Sequence, residues 1–131
     1  MQWNIRNDAP VYSQLIEHIM LAIIQGEFPP GGKLPSVREL AAAAGVNPNT
    51  MQRAFAQLER DGLVQTQRTA GRTVTDDAER IERAKEKIAA AAMRNFWEAM
   101  RQLGYDRAQA LALLQGERTE ERGEPDGDSG M

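Results

Sequence analysis

The fold is decided by residues 36–58, SVRELAAAAGVNPNTMQRAFAQL, whose pattern predicts two short helices with a sharp turn between them. Ser36 and Glu39 have the spacing of a capping box, in which the two residues satisfy each other's free backbone N–H groups. Gly45 ends the first helix because glycine readily adopts the positive φ that such a turn needs. Asn47 is a good N-cap for the second helix. Two short helices joined at a glycine predict a helix-turn-helix.

The second helix carries hydrogen-bonding side chains where it begins. Met51 and Ala54 are expected to fill the angle between the two helices, which leaves the polar residues on the outer face. These outward residues are Asn47, Asn49, Thr50, Gln52 and Arg53. The major groove of DNA admits such a helix, and Asn, Gln and Arg side chains can make bidentate contacts with base edges. The sequence therefore predicts a recognition helix for double-stranded DNA.

The segment before this motif predicts a further helix and a loop. Residues 10–25 have the apolar spacing of a buried helical stripe, with Asp8 as a plausible N-cap. Residues 28–35 hold three prolines and two glycines, which predict an irregular loop. This arrangement places one more helix beside the helix-turn-helix.

The segment after the motif predicts a wing. Residues 63–67 and 72–75 read as two short strands joined by a turn. Arg68 and Arg72 flank the tip of this hairpin, where they would reach an adjacent groove or the DNA backbone. The expected fold class is therefore mainly α with a small β-hairpin, an α+β fold, in which residues 1–75 form a winged helix-turn-helix domain.

The C-terminal part of the chain predicts long helix. Residues 77–103 would form one helix of about 40 Å at ~1.5 Å per residue. Its apolar stripe consists of Ile81, Ala84, Ile88, Ala92, Phe96, Trp97, Met100 and Leu103. The N-terminal domain is too small to cover this stripe alone, and exposed stripes of this kind mark an interface. A two-fold dimer would also hold two recognition helices about one DNA turn apart, ~34 Å.

We therefore expect residues 76–116 to form a two-helix dimerisation region; the alternative is a helix that folds back on its own domain. Phe96 and Trp97 could line a ligand pocket, although packing in a core or an interface is the expectation. Residues 117–131 are polar and glycine-rich without an apolar pattern, which predicts a disordered tail.

The composition limits what else the chain can do. It has 131 residues, no cysteine and one histidine, His18, so we expect no disulfide, no metal site and no cofactor. His18 is expected to be a half-exposed surface residue rather than a sensor. The chain has no room for an additional catalytic domain and no nucleophile–base arrangement, so we expect no enzyme. It lacks a signal peptide and an apolar run of membrane-spanning length, so we expect a cytoplasmic protein without membrane contact.

The net charge of −3 does not argue against nucleic acid. Basic residues slightly outnumber acidic ones in residues 1–75, and the acidity comes from the remainder of the chain. Net charge describes the whole molecule and says little about one face of one domain. The N-terminal domain can therefore still present a basic surface to DNA.

Three motifs resemble the GntR family of bacterial regulators: LPSVRELA at residues 34–41, GVNPNT at residues 45–50 and LERDGLV at residues 58–64. The opening PVYSQL at residues 10–15 resembles the YtrA-like branch of that family, which has a short two-helix C-terminal region. The resemblance implies a homodimer on a palindromic operator, usually a repressor, and often one that controls a transporter operon and its own gene. The resemblance does not indicate whether the protein binds a small-molecule effector.

The resemblance also implies roles for individual residues. Arg38, next to Ser36, would contact DNA at the start of its helix, and Gly71 would approach the minor groove from the wing. Asn47, Asn49 and Thr50 would read bases, with Gln52 or Arg53 one turn further on. The wing departs from the family pattern Arg-Gly-x-Gly-Thr-Phe-Val, because RTAGRTV at residues 68–74 lacks one glycine and the aromatic residue.

The sequence leaves two alternatives open, one for individual arginines and one for the function of the domain. Arg38 and Arg53 could be ordinary surface residues or partners of Glu39 and Glu59. The whole domain could be a winged-helix module for protein interaction that does not bind DNA specifically, although such modules usually lack polar residues on the recognition helix.

Overall fold

The computed structural model describes residues 2–123, and the side chains of residues 2–116. The chain is mostly helical with one antiparallel hairpin, as the sequence predicts. In order, the elements are α1 (Val11–Ile24), α2 (Val37–Ala44), α3 (Pro48–Arg60), β1 (Val64–Gln67), β2 (Gly71–Val74), α4 (Ala78–Gln102) and α5 (Arg107–Gly123). They divide into two compact units, Met1–Glu86 and Lys87–Met131.

The core of the first unit lies between α1, α2, α3 and the hairpin. Leu15 and Ile19 of α1 are fully buried with Met51, Phe55 and Leu58 of α3. These residues recur at the three- and four-residue spacing that places side chains on one face of a helix. Burial of this stripe fixes which face of α3 points inward, so the remaining face is available at the surface.

The ends of α2 and α3 follow the predicted local rules. Ser36 Oγ accepts a hydrogen bond from the Glu39 N–H at 3.0 Å, and the Glu39 carboxylate accepts one from the Ser36 N–H at 2.9 Å. Gly45 ends α2 with a φ of 72°, and a Cβ at this position would meet nothing within 4 Å. The backbone conformation of the turn, rather than lack of space, therefore requires glycine.

The predicted cap of α1 is wrong. Pro10 occupies the N-cap position without a side-chain cap hydrogen bond. Asp8 instead pairs with Arg6, with 3.0 Å between the carboxylate and Arg6 Nε. Two residues separate Asp8 from the first residue of the helix, so the carboxylate lies too early in the chain to act as the N-cap.

The hairpin gains a third partner from the loop before α2. β1 and β2 pair with Val64 opposite Val74 and Thr66 opposite Arg72. Lys33 forms an isolated antiparallel bridge with Thr73, and the Leu34 N–H donates to the Arg72 carbonyl at 2.9 Å. Since two short strands are marginal alone, these bonds and the packing of the helices hold the wing in place.

The first turns of α4 belong to the first unit. Ala84 is buried in its core, and Ile81 packs against that core. The first compact unit therefore continues to Glu86, eleven residues beyond residue 75, where the sequence pattern changes to long helix.

In the second unit, α4 is followed by Gly104, with a φ of 94°, and then by α5. The predicted cap at Asp106 is present: its carboxylate accepts from the Gln109 N–H at 2.8 Å, and the Gln109 side chain accepts from the Asp106 N–H at 2.9 Å. The helix continues to Gly123, past Gly116 where we expected it to end. Residues 117–122 hold five Glu and Arg side chains, which favour helix. The remainder of the predicted disordered tail, residues 124–131, lies outside the described residues.

Candidate nucleic-acid interface

A surface groove brings together residues from α2, α3 and the wing. Its volume is about 430 Å³. The lining residues are Lys33, Leu34, Pro35, Ser36, Val37, Arg38, Glu39, Gln52, Gly71 and Arg72. Five of the predicted DNA-binding residues are therefore neighbours around one concave surface, although they come from three separate elements of the chain. We refer to this surface as the α2–wing groove.

Arg38 presents a free cation to this groove. Its side chain is exposed, and among residues 2–116 it forms no ion pair or side-chain hydrogen bond. The neighbouring Glu39 carboxylate is occupied by the Ser36 N–H, so the alternative in which Glu39 pairs with Arg38 is not found. A guanidinium without an internal partner can bind a phosphate or a base edge without first breaking a contact.

The beginning of α3 presents the other polar side chains. Asn49 and Gln52 are exposed and Thr50 is half-buried. Asn47 is already used in part, because its side-chain oxygen accepts the Asn49 N–H at 2.7 Å. Only the amide NH₂ of Asn47 remains to donate to DNA, whereas Asn49 can use both its donor and its acceptor. Asn49 and Gln52 are therefore better placed for bidentate recognition of a base than Asn47.

Arg53 is held by a residue that the sequence analysis did not single out for function. Its guanidinium carbon lies 4.7 Å from the centre of the Tyr12 ring on α1, which is a cation–π contact. The Tyr12 hydroxyl donates to the Gln57 side chain at 3.4 Å. Nothing in the local sequence signals this contact, because α1 and α3 meet only in the folded chain.

The wing residues differ from one another in their surroundings. Arg68 is exposed beside the turn, and Gly71 has a φ of 77° with open space where a Cβ would stand. Arg72, which was predicted to reach an adjacent groove or the DNA backbone, is partly enclosed. Its side chain is only 24% exposed, its Nε lies 3.9 Å from the Glu59 carboxylate, and its guanidinium carbon lies 5.3 Å from the centre of the Phe55 ring. Arg72 thus packs on α3 while it lines the groove.

Lys33 was missed by the sequence analysis. It stands in the proline- and glycine-rich loop, yet its bridge with Thr73 places it at the edge of the wing, where it lines the α2–wing groove. Its side chain is exposed. With Arg38 and Arg72 it gives the groove three cations, and the one acidic side chain among the lining residues, Glu39, is engaged in the capping box. The groove therefore favours an anionic partner.

The predicted dimerisation stripe is divided between the two units. Ala84 is buried in the first unit, and Ile81 is partly buried against the core of that unit. The remaining residues of the stripe lie in the second unit: Ile88, Ala92, Phe96, Trp97, Met100 and Leu103. Leu103 is 72% exposed, and Met93 is 56% exposed. Large apolar side chains with this exposure suit an interface.

Trp97 packs against its neighbours in the second unit. Its ring lies 5.1 Å from the Phe96 ring and 4.7 Å from the Arg107 guanidinium carbon. Trp97 also borders an open groove of about 720 Å³ between the end of α4 and the start of α5. In this groove the Arg101 guanidinium donates to the Glu98 carboxylate and holds the pKa of that carboxyl below its ordinary value.

The described residues contain no group of three or more His, Cys, Asp or Glu side chains that could hold a metal ion. His18 lies against the Trp3 ring, with 5.4 Å between the ring centres. Within the same part of the chain, no helix has the length and apolar character needed to cross a membrane.

The fold is that of a winged helix-turn-helix, and the cations and polar side chains of the α2–wing groove suit contact with DNA. Residues 11–74 match the family described as bacterial regulatory proteins, gntR family. The chain is 35% identical over 111 residues to the uncharacterised transcriptional regulator YhcF of Bacillus subtilis, which covers 85% of this chain and 92% of YhcF. It is 40% identical over 78 residues to the transcriptional repressor YtrA of the same organism, 60% of each protein.

Among solved structures, a GntR family transcriptional regulator from Listeria monocytogenes superposes with a TM-score of 0.77 at 37% identity. The superposition covers 85% of this chain and 97% of that protein. The chain belongs to the GntR family and is a DNA-binding transcription regulator. The resemblance found in the motifs is thereby confirmed, and the family and the relatives are regulators rather than enzymes.

Proposed function

We propose that this GntR-family regulator is a homodimeric repressor that binds a palindromic operator, controls its own gene and acts on a transporter operon. The α2–wing groove carries the proposal, because it joins the exposed cations Lys33 and Arg38 to the exposed polar end of α3. Such a surface can contact phosphates with its cations and base edges with Asn49 and Gln52. A regulator of bacterial genes would do this in the cytoplasm, where the chromosome lies.

In this proposal, Ser36 and Lys33 contact the backbone, and Arg38 contacts a phosphate or a base edge. The residues that face the major groove are Asn47, Asn49, Thr50, Gln52 and Arg53. Arg68 and Gly71 approach the neighbouring minor groove. Contacts with phosphates fix the register of the protein, and contacts with bases supply the sequence preference. A polar recognition helix favours this function over a module that binds only proteins.

The dimer is proposed from the second unit. Leu103 of the stripe and the nearby Met93 are largely exposed. Helix α5 adds Leu111, Leu113 and Leu114, each more than 40% exposed. A second copy of the chain would remove these side chains from water by the same contacts on both copies. YtrA of Bacillus subtilis, a relative of this chain, is described as a transcriptional repressor, which supports repression as the direction of control.

The test is a mobility-shift titration of the full-length protein on the DNA upstream of its own gene, with excess unrelated DNA as competitor. We expect a shift that resists the competitor, a footprint with two symmetric halves, and lower output from a reporter driven by that promoter. Ultracentrifugation should give a dimer. A complex that the competitor abolishes would contradict specific recognition and would favour a protein-interaction module.

A further inference from the structure

Both strands of the wing converge on one carboxylate of α3. Thr66 of β1 and Arg72 of β2 stand opposite each other in the hairpin, so their side chains share one face. The Thr66 hydroxyl donates to the Glu59 carboxylate, and Arg72 Nε lies 3.9 Å from the same oxygen atom. Glu59 thus contacts one residue from each strand. We call Glu59, Thr66 and Arg72 the wing clamp.

Most of the Arg72 side chain is buried in the wing clamp, and only 24% of it is exposed. Its Nε is buried and makes no hydrogen bond among the described residues, and its guanidinium stacks over the ring of Phe55, a fully buried residue of α3. The nearby Glu59 carboxylate supplies the opposite charge that a largely buried guanidinium requires. Even so, Arg72 still lines the α2–wing groove with Arg38 and Gln52.

We propose that Glu59 is a positioning residue for operator binding, which orients the wing on α3 and aims the Arg72 guanidinium into the α2–wing groove. The proposal rests on the proposed function, since positioning matters only where the groove receives a specific DNA site. Glu59 lies on the same helix as the base-reading residues, so it links the direction of the wing directly to α3. A two-stranded hairpin has little stability of its own with which to hold that direction.

The direction in which Glu59→Gln changes DNA affinity separates a positioning role from simple charge repulsion. A carboxylate near a DNA-binding surface repels phosphates, so its neutralisation by Glu59→Gln would be expected to strengthen binding to every DNA. If Glu59 positions the wing, the same substitution weakens the operator complex, because the guanidinium of Arg72 loses its charged partner. Gln can still accept the hydrogen bond from Thr66, so the substitution isolates the ionic part of the clamp.

The experiment measures the affinity of the full-length protein for its operator and for unrelated DNA, with E59Q, R72A and the double variant. Glu82→Gln is the matched control, because it removes one exposed carboxylate from α4 without touching the clamp. We expect E59Q to bind the operator roughly 2- to 150-fold more weakly, the range of coupling between contacting residues, while its affinity for unrelated DNA is unchanged or higher. The double variant should bind the operator no more weakly than R72A.

A second measurement does not depend on DNA. Amide hydrogen exchange should become faster in β1 and β2 of E59Q and stay unchanged in α1, because the clamp acts on the wing and not on the core. Thr66→Val, which keeps every charge, should show a smaller loss of operator affinity in the same direction, and it replaces E59Q if that variant does not fold.

Three results would overturn the proposal: operator binding by E59Q as tight as that of the wild type or tighter, equal losses on operator and unrelated DNA, or losses in E59Q and R72A that simply add. If the wild-type protein forms no competitor-resistant complex, the proposed function fails first, and the role of Glu59 fails with it. A specific wild-type complex that E59Q does not weaken would overturn only the role of Glu59.

Discussion

Replacing Arg38 by alanine removes one of the free cations of the α2–wing groove and little else. The Arg38 side chain is exposed and has no ion pair or side-chain hydrogen bond within residues 2–116. The capping box that starts α2 involves Ser36 and Glu39, so it survives the substitution. Surface changes of this kind alter the free energy of unfolding by no more than about 0.5 kcal/mol. The melting temperature should therefore stay within a few degrees of the wild-type value.

The expected loss in operator affinity depends on what Arg38 contacts. A contact with a base costs about 1–3 kcal/mol, which is roughly 5- to 150-fold for each half-site, and relaxes the preference at one position of that half-site. A contact with a phosphate weakens binding to all sequences and lowers the slope of log K against log salt by ~0.9 for each contact. A dimer with two such contacts would lose about 1.8 from the slope.

The assay is a fluorescence-anisotropy titration at several salt concentrations, on the operator and on operators changed at single positions. Arg83→Ala is the matched control, since Arg83 is an exposed arginine of α4 in the first unit whose guanidinium lies 3.6 Å from the Glu79 carboxylate. It removes the same charge, and Arg83 is not one of the residues that line the groove. If Arg38→Ala and Arg83→Ala bind the operator equally well at every salt concentration, Arg38 does not contact DNA and the reasoning is refuted.

Three further predictions follow from the fold and the groove. Truncation after Glu86 keeps the winged helix folded but gives a monomer with poor operator affinity; a dimer in ultracentrifugation would contradict dimerisation through the second unit. Ser36→Ala breaks the capping box and lowers the free energy of unfolding by about 1 kcal/mol, which a denaturant titration would detect; an unchanged midpoint would show the cap to be unimportant. Tyr12→Ala removes the ring that contacts Arg53 and should weaken operator binding through Arg53. In a titration of operator DNA, Tyr12→Ala should therefore have little further effect on affinity when Arg53 is already replaced by alanine.

The parts of the fold that depend on near neighbours in the chain could be predicted. The capping box joins residues three positions apart, and the turn at Gly45 needs only the conformational freedom of one residue. Both are properties of short segments, which the sequence displays directly. The predicted strands and helices likewise match the observed elements, apart from differences at some of their ends.

The candidate site could be predicted as a set of residues but not as an arrangement. Polar side chains at the start of α3 indicated a surface for DNA, but Lys33 joined that surface only through a bridge with Thr73. Arg72 was predicted to reach an adjacent groove or the DNA backbone because it flanks the tip of the hairpin. Its contacts with Glu59 and Phe55 connect β2 to α3, and no local pattern encodes such a contact.

The apolar stripe of α4 shows that a helical pattern does not identify the surface that covers it. Helical periodicity indicates which face of a helix is apolar, but it does not indicate what covers that face. Ile81 and Ala84 belong to the same stripe as Leu103, yet the former pack in the first unit and Leu103 is exposed. Because α4 begins in one unit and continues into the next, the periodicity of the helix does not indicate where the first unit ends.

The bonds between the loop before α2 and the wing constrain how the chain can change in length. The Leu34 N–H donates to the Arg72 carbonyl at 2.9 Å, and the Val74 N–H donates to the Gly32 carbonyl at 2.9 Å. An inserted residue between Gly32 and Leu34 would shift these two pairs out of register. The turn at Arg68 and Thr69 is exposed, so added residues there need displace nothing. Insertions and deletions among related chains should therefore accumulate at the turn of the hairpin, while the spacing between Gly32 and Leu34 stays constant.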